Sequence, residues 1–411
     1  MKNAWTIGQY SIYRVVLGLY LLQHFVGLLP WGAELFSSEG VLPDKHLSPL
    51  IKLFPNIFLV SDSPLFVIIS LGTGAALSVL FIIGKFDRIA AVLIWYLWAC
   101  LYARNPLIGN PSLPFIGWLL LAHLLVPSAG KSEDNDAICK WQLPGDLYLA
   151  AWILMSLAYT YSGYTKLVSP SWVDGSALSR VLANPLARDT ALRTLLLSLP
   201  AWILKLATWA ALGLELSFAP LALFRRMRPL IWLAMVSLHL GLLLLINFSD
   251  LTVGMLILHL FTFDPAWIPS PQLAGQTIFF DGHCGLCHGF VRFVLREDRS
   301  PQPFSFAPLQ GESLQHALPQ GVPSGLPDSV IVISKSNAEG HSVLTRSSAV
   351  VYVLKRLGGL WFFAALLLNL VPRPVRDFGY DIVSRVRLKI FGASPSLCPL
   401  VGPQWSARFL P

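Results

Sequence analysis

The amino-acid sequence predicts an α-helical multi-pass membrane domain of about eight helices followed by a small α/β domain. Two observations predict it. Of 411 residues, 55% are hydrophobic and only 13% are charged, with mean hydropathy +0.61, whereas soluble domains carry about a quarter charged residues. Long apolar runs alternate with short polar links as far as Asp264; beyond it the runs shorten, and charges and prolines become regular. A chain this apolar cannot hide its hydrocarbon in one water-soluble core, so the bilayer is part of its solvent. An ordinary soluble enzyme and a disordered chain are both excluded.

Eight spanning candidates lie near 5–29, 65–84, 88–103, 112–129, 146–166, 200–224, 229–247 and 251–264. The third and the last are short for roughly 30 Å of hydrocarbon, so either is open to a re-entrant reading. The N-terminus has no small-residue cleavage site after a short apolar core and reads as a retained first helix. The links 30–64 and 167–199 carry amphipathic stretches expected on the membrane surface. The domains are expected at 1–265 for the membrane part, 266–276 for a linker within DPAWIPSPQLAGQ, 277–400 for the α/β part and 401–411 for a tail.

The net charge of +8, from 30 Lys+Arg against 22 Asp+Glu, does not form a basic stripe interleaved with aromatics, so nucleic acid is not an expected partner. The basic residues flank apolar runs. Lys2, KFDR (85–88), Lys131 and Lys140, and RRMR (225–228) fall on one side, while the opposite short links contain only Arg104. The positive-inside rule then places residues 270–411 in the cytoplasm, in an expected bacterial inner membrane. An odd helix count would reverse that sidedness.

In the second part, TIFFDG (277–282), PFSFAPL (303–309) and SVIVIS (329–334) read as strands, and HGFVRFVLRE (288–297) and SSAVVYVLKRLG (347–358) as helices. LWFFAALLLNLV (360–371) is too short to span and reads as a buried or membrane-skimming helix. The basic, amphipathic PRPVRDFGYDIVSRVRLKIFG fits docking on anionic headgroups, making membrane lipid an expected partner.

The strongest chemical signal is FFDGHCGLCHGF. The five cysteines (100, 139, 284, 287 and 398) are too scattered for a disulfide scaffold, and only Cys284 and Cys287 are close. A thiol that opens a helix meets unpaired backbone N–H groups and the positive dipole end, which favour its thiolate. Cys284 is the expected exposed nucleophile, and Cys287, one turn on, the resolving thiol. The flanking His283 and His288 supply positive charge or compete for a metal. A zinc site is the alternative, but His283, His288 and Cys398 supply no second ligand pair at zinc spacing, so no metal is expected.

Residues 277–400 resemble the DCC family, described as thiol-disulfide oxidoreductases with a thioredoxin-like fold. The resemblance rests on Asp281, Gly282, Cys284, Gly285, Leu286 and Cys287, then on FAPLQ (306–310), RSSAV (346–350), LGGLW (357–361), PRPVRD (372–377), and FG (391–392) with Cys398. It implies Cys284 and Cys287 as the redox pair, with protein thiols or disulfides as substrates. Asp281 is either a proton relay beside the thiols or a turn-capping residue. Pro327 is either the counterpart of the cis-proline of a thioredoxin-like fold or an ordinary proline before a strand.

Ionisable residues inside spanning segments are functional candidates by default. Here they are Arg14, His24, Lys166, Lys205, Glu215 and His239. Glu215 needs a partner, for which Arg14 is the candidate. The segment AYTYSGYTKLVSPSWVDGSAL (158–178), with Gly163, Lys166-Leu167, Trp172 and Gly175, is similar to the HTTM family, the membrane domain of vitamin K-dependent gamma-carboxylases and their bacterial relatives. ELSF (215–218) and His239 followed by NFSDLTVGM (247–255) extend the similarity. The resemblance implies Lys166 as a base acting on a quinol, and Lys166, Trp172, Glu215 and His239 as ligand-binding residues, with a quinone as the one cofactor suggested. The chain departs from the family at GNPSLP (109–114), where Pro111 stands in place of a histidine, and it lacks the luminal propeptide-binding module.

Three functions follow as expectations. The first is a membrane-bound thiol-disulfide oxidoreductase, coupled to a quinone or an anionic ligand in its membrane part. The second is a quinol-dependent, carboxylase-like enzyme with Lys166 as base and the dithiol domain accessory. The third is a non-enzymatic assembly or sensor protein.

Overall fold

Apolar runs in a bilayer must satisfy every backbone N–H and C=O internally, and helices do so. The computed structural model describes residues 1–127, 141–271, 276–317, 329–336, 340–393 and 403–411. Pro327, Cys139, Cys398, Lys131 and Lys140 lie outside the described residues. A helix is found at each of the eight predicted segments: α1 (Ile7–Leu28), α2 (Pro64–Ile83), α3 (Asp87–Arg104), α4 (Leu113–Leu125), α5 (Gly145–Lys166), α6 (Ala201–Ala222), α7 (Arg228–Leu245) and α8 (Ser249–Thr262).

Among the described residues, four of these, α1 with its continuation to Phe36, α2, α6 and α7, are long and apolar enough to cross a membrane. Of the eight expected spans, these four meet that length and composition and the other four do not. Helices α4 and α8 have 13 and 14 residues and reach about 20 Å at 1.5 Å per residue. Helix α3 carries Asp87, Arg88 and Arg104 in 18 residues, and α5 is diluted by Tyr148, Tyr159, Tyr161 and Tyr164. Of the two long links, 30–64 is tied down by the buried Arg104, which donates to the carbonyls of Ser37 (3.0 Å) and Leu42 (2.9 Å) and to Asp62 (3.3 Å).

Packing divides the described residues into two compact units. One holds Met1, Ile12–Val126 and Pro144–Phe263. The other holds Lys2–Ser11, Pro127, residues 141–143 and the described part of Asp264–Pro411.

In the second unit, β1 (Gln276–Phe280), α9 (Gly285–Glu297), β2 (Ser305–Pro308), α10 (Ser313–Ala317), β3 (Ile331–Ser336), β4 (Gly340–Thr345) and α11 (Arg346–Leu357) build a sheet in the order β2-β1-β3-β4. Strands β1 and β2 run parallel, with Ile278 opposite Phe306; β3 is antiparallel to both β1 and β4. Alternation along the strands fills both faces. Ile278, Phe280, Phe306 and Val332 join Val291 and Val294 of α9 and Val353 of α11 in the main core, which also contains Cys284 and Cys287. Phe279, Ala307, Ile331 and Ile333 pack on the other face with Leu314. Strand β4 and helix α10 were not anticipated from sequence.

Two further helices follow, α12 (Gly359–Leu370) and α13 (Arg373–Phe391). The C-terminal residues close the outer edge of β2: Leu410 N–H donates to the Phe306 carbonyl at 2.8 Å, and Phe409 stacks on Phe306.

The first residues of α1 belong to this unit through Glu297, the last residue of α9. Its buried carboxylate accepts from the Gly8 N–H (2.9 Å), the Trp361 Nε1 (2.6 Å) and the Thr6 hydroxyl. A Cβ on Gly8 would stand 2.7 Å from that carboxyl group, so a larger residue there would have to displace it. An acid beside the first N–H groups of a helix also meets the positive end of its dipole.

Candidate functional site

Strand β1 ends at Phe280, and the chain turns through Asp281, Gly282 and His283 into Cys284, the N-cap of α9. Cys284 has extended backbone geometry, and its Sγ accepts the Cys287 N–H at 3.4 Å. An N-cap acceptor satisfies one of the free N–H groups of the first turn, and here that acceptor is sulfur.

Asp281 organises the turn. Its Oδ1 accepts from the His283 N–H (3.0 Å) and from Gln310 Nε2 (3.1 Å), while its carbonyl accepts the Cys284 N–H (3.3 Å). Gln310 returns its Oε1 to the Gly282 N–H at 3.1 Å. The Asp281 Oδ2 meets Arg387 Nη2 of α13 at 2.7 Å in a buried ion pair. Burial pushes the Asp281 carboxyl up, but the His283 and Gln310 hydrogen bonds and the Arg387 charge outweigh it and hold it below the usual carboxylate range.

The two thiols are free and not equivalent. Burial, reinforced by the hydrogen bond and charge of Cys284, pushes the Cys287 thiol up to about 12, against the pull of Arg387 and the Asp281 amide. His283 is exposed, and His288 is buried with its ring edge-on to Phe280. Among the described residues, no three His, Cys, Asp or Glu side chains come together to hold a metal ion.

The expectation of an exposed Cys284 is corrected. It is 0% exposed and Cys287 is 7% exposed. Cys284 belongs to the main core, and the segment after α13 lies against it. Ala393 pairs with Cys284 as an isolated bridge, and Gly285 N–H donates to the Gly392 carbonyl at 3.2 Å. A Cβ at Gly285 would lie 2.4 Å from the Phe391 carbonyl oxygen, so glycine is required for the cover to close.

Sequence reasoning missed Arg387 and Gln310. The signal for Arg387 was present: Asp377, Tyr380, Ser384 and Arg387 recur at helical spacing on the face opposite the apolar stripe of α13. Asp377, Tyr380 and Arg387 of that row bond to the rest of the domain, and Ser384 accepts from Arg387.

In the other unit the candidates form separate groups. Lys166 Nζ meets Glu215 Oε1 at 2.6 Å and Ser162 Oγ at 2.8 Å, and lies 4.9 Å from the Trp172 ring centroid. The proposed Arg14–Glu215 pair is thus corrected: Glu215 is taken by Lys166, and Arg14 donates to the carbonyls of Phe81 and Ile82 at the end of α2. His239 Nε2 lies 2.7 Å from the Tyr159 hydroxyl, whose other neighbour is His259 Nε2 at 2.8 Å. Lys205 is exposed. His24 belongs to a different cluster: its Nδ1 contacts Asp250 Oδ1 at 2.9 Å, and Asp250 also accepts from Tyr20 (3.0 Å) and Asn110 (2.7 Å). This cluster borders a cavity of about 310 Å³ walled by Phe36, Trp98, Tyr102 and Phe248.

Comparison with known proteins bears on the dithiol unit. The profile of the DCC1-like thiol-disulfide oxidoreductases matches residues 278–393. The uncharacterized protein YuxK of Bacillus subtilis (strain 168) is 36% identical over 143 residues, 34% of this chain and 98% of YuxK. The chain belongs to the DCC1-like family. A chloroplastic DCC family protein of Arabidopsis thaliana is 32% identical to it over 121 residues, 29% of this chain and 66% of that protein. No solved structure matches the chain at a significant level. The DCC1-like match does not reach residues 1–265, so the carboxylase-like reading of that part gains no support from it.

Proposed function

We propose that this DCC1-like protein is a membrane-bound thiol-disulfide oxidoreductase whose redox pair is Cys284 and Cys287 on a thioredoxin-like domain facing the cytoplasm. The observation that carries the reading is the Cys287 N–H directed at the Cys284 sulfur at the start of α9. The strand order, with the dithiol helix between two parallel strands and an antiparallel pair beyond, supports the thioredoxin-like assignment.

In the reducing direction the Cys284 thiolate attacks a substrate disulfide, forming a mixed disulfide and releasing one substrate thiolate. Cys287 then loses its proton to solvent and attacks the Cys284 sulfur. The second substrate sulfur leaves as a thiolate, two electrons pass to the substrate, and a Cys284–Cys287 disulfide remains. An external dithiol, or two monothiols, restores the reduced pair and leaves as a disulfide; the same steps reversed oxidise a substrate dithiol. Asp281 serves this chemistry by fixing the turn, because its oxygens are already occupied by His283, Gln310 and Arg387.

The purified full-length chain tests this. Cys287→Ser should accumulate a mixed disulfide with a peptide disulfide, and Cys284→Ser should form none. Equal trapping by both variants would remove Cys284 as the nucleophile.

A second reading, a quinol-dependent membrane enzyme with Lys166 as base, draws on the aromatic-walled cavity beside His24 and Asp250. Lys166 does not line that cavity and is bonded to Glu215 and Ser162. The residues around Lys166 therefore do not fit a free base acting on a quinone. Loss of turnover in Lys166→Ala with survival in Cys284→Ser would favour this reading over the first.

A further inference from the structure

Helix α13 has two faces with different employment. On the inner face, Asp377 accepts from the Ser347 N–H and hydroxyl, Tyr380 accepts the Val330 N–H at 2.9 Å, Asp381 pairs with Arg346 at 3.5 Å, and Arg387 meets Asp281. These four side chains of the row bind the domain. On the outer face, Phe378, Ile382, Val386 and Ile390 follow one another at four-residue spacing, and all are exposed, Phe378 by 67% and Ile390 by 66%. Helix α12 repeats the pattern with Phe363, Leu366, Leu367 and Leu370, the last 75% exposed. The apolar stripe of α13 is bordered by the cations Arg385 and Lys389 on one side and Arg376 on the other.

We propose that the outer face of α12 and α13 is a bilayer-binding surface that lies in the headgroup layer of an anionic leaflet and sets the dithiol there, to act on thiols or disulfides of membrane-borne substrates. The second half of this proposal rests on the oxidoreductase reading; the first does not. Three observations select a bilayer as the occupant. An exposed stripe this long is unfavourable in water, and monomeric soluble proteins rarely carry one. A helix of 19 residues, about 28 Å long, with one apolar face edged by cations and one polar face spent on its own domain, is built to lie in an interface and not to cross it. The same chain carries helices long and apolar enough to enter a membrane. A second copy fits less well, since a two-fold partner would bring the same cationic borders against themselves. The dithiol follows α13 because the residues just beyond that helix, Gly392 and Ala393, hold Gly285 and Cys284.

The test uses the full-length protein in lipid nanodiscs with a genetically encoded, environment-sensitive fluorescent amino acid at Phe378, an exposed position whose replacement leaves the inner face intact. Brominated acyl chains should quench the probe, about twofold more in phosphatidylglycerol–phosphatidylcholine discs than in phosphatidylcholine discs. R385E with K389E should abolish that difference. A probe that stays unquenched in both discs overturns the surface, as does quenching replaced by concentration-dependent crosslinking to a second copy. For the substrate, a lipid-anchored peptide disulfide should be reduced at least about tenfold faster than its soluble form through effective concentration. Equal rates overturn the membrane-borne substrate. Quenching that persists while neither disulfide is reduced would refute the oxidoreductase reading and uphold the surface.

Discussion

Arg387, near the end of α13, and Asp281, three residues before Cys284, form a buried ion pair at 2.7 Å although they lie 106 positions apart in the chain. The pair fastens the last long helix to the turn that presents the dithiol. Removing one partner leaves the other charge buried and uncompensated. Arg387→Met should destabilise the second unit by about 3 kcal/mol, and Arg387→Lys should recover part of that loss. Thermal unfolding followed by thiol accessibility in detergent checks both. Equal stability of the Met variant and the parent would remove the pair from the account.

The same pair predicts an acid limb. The Asp281 carboxyl lies below its ordinary value in the folded protein, so the folded state holds fewer protons than the unfolded one wherever the two differ. Its contribution is present above the unfolded carboxylate value, near 4, and is lost as pH falls through the lower folded value. Asp281→Asn should flatten that part of the stability profile, whatever it does at neutral pH.

Cys287 predicts an alkaline effect. In the reduced protein its thiol is pushed up to about 12, first by burial and then by Cys284. Once Cys284 is engaged in a mixed disulfide, its charge is gone and burial remains. The attacking thiolate is then scarce at neutral pH, and resolution should accelerate from pH 7 to 10. Stopped-flow release of the second substrate thiol measures this, and a flat profile would contradict it. Folding stability has the same sign: it is intact below the unfolded thiol value, near 8.5, and declines as pH rises towards the folded one.

Gly285 separates access from stability. An alanine there meets the Phe391 carbonyl, and overpacking of this kind costs about 1–3 kcal/mol. The 391–393 segment should be pushed away from Cys284. Gly285→Ala is expected to lower the unfolding temperature yet speed alkylation of Cys284. Slower or unchanged alkylation would mean that another segment covers the sulfur.

Much of this architecture was legible in the sequence because it is local. The apolar runs became helices at every predicted segment, and the strand–turn–helix around Cys284 followed from TIFFDG, the C-x-x-C and the 3.6-residue repeat after it. What was illegible is long-range. Nothing in the dithiol motif announces that residues 391–393 will bury Cys284, or that Gln310 and Arg387 will complete the Asp281 turn. Mean hydropathy likewise does not register how Asp87, Arg88 and Arg104 bound the apolar run of α3 and leave it only 15 uncharged residues long. Glu215 was given the wrong cation for a related reason: helix faces can be drawn from one segment, but which two faces meet cannot.

The carboxylate of Glu297 has a practical implication for anyone seeking a portable redox fragment. Burial raises its proton affinity, and Thr6, Trp361 and Gly8 supply the donors that counter this. Two of those three donors come from the opening residues of the polypeptide. Excision at the proline-rich connector would take away two of its three donors, so a water-soluble version should keep the first eleven amino acids, grafted back by a linker or supplied as a peptide.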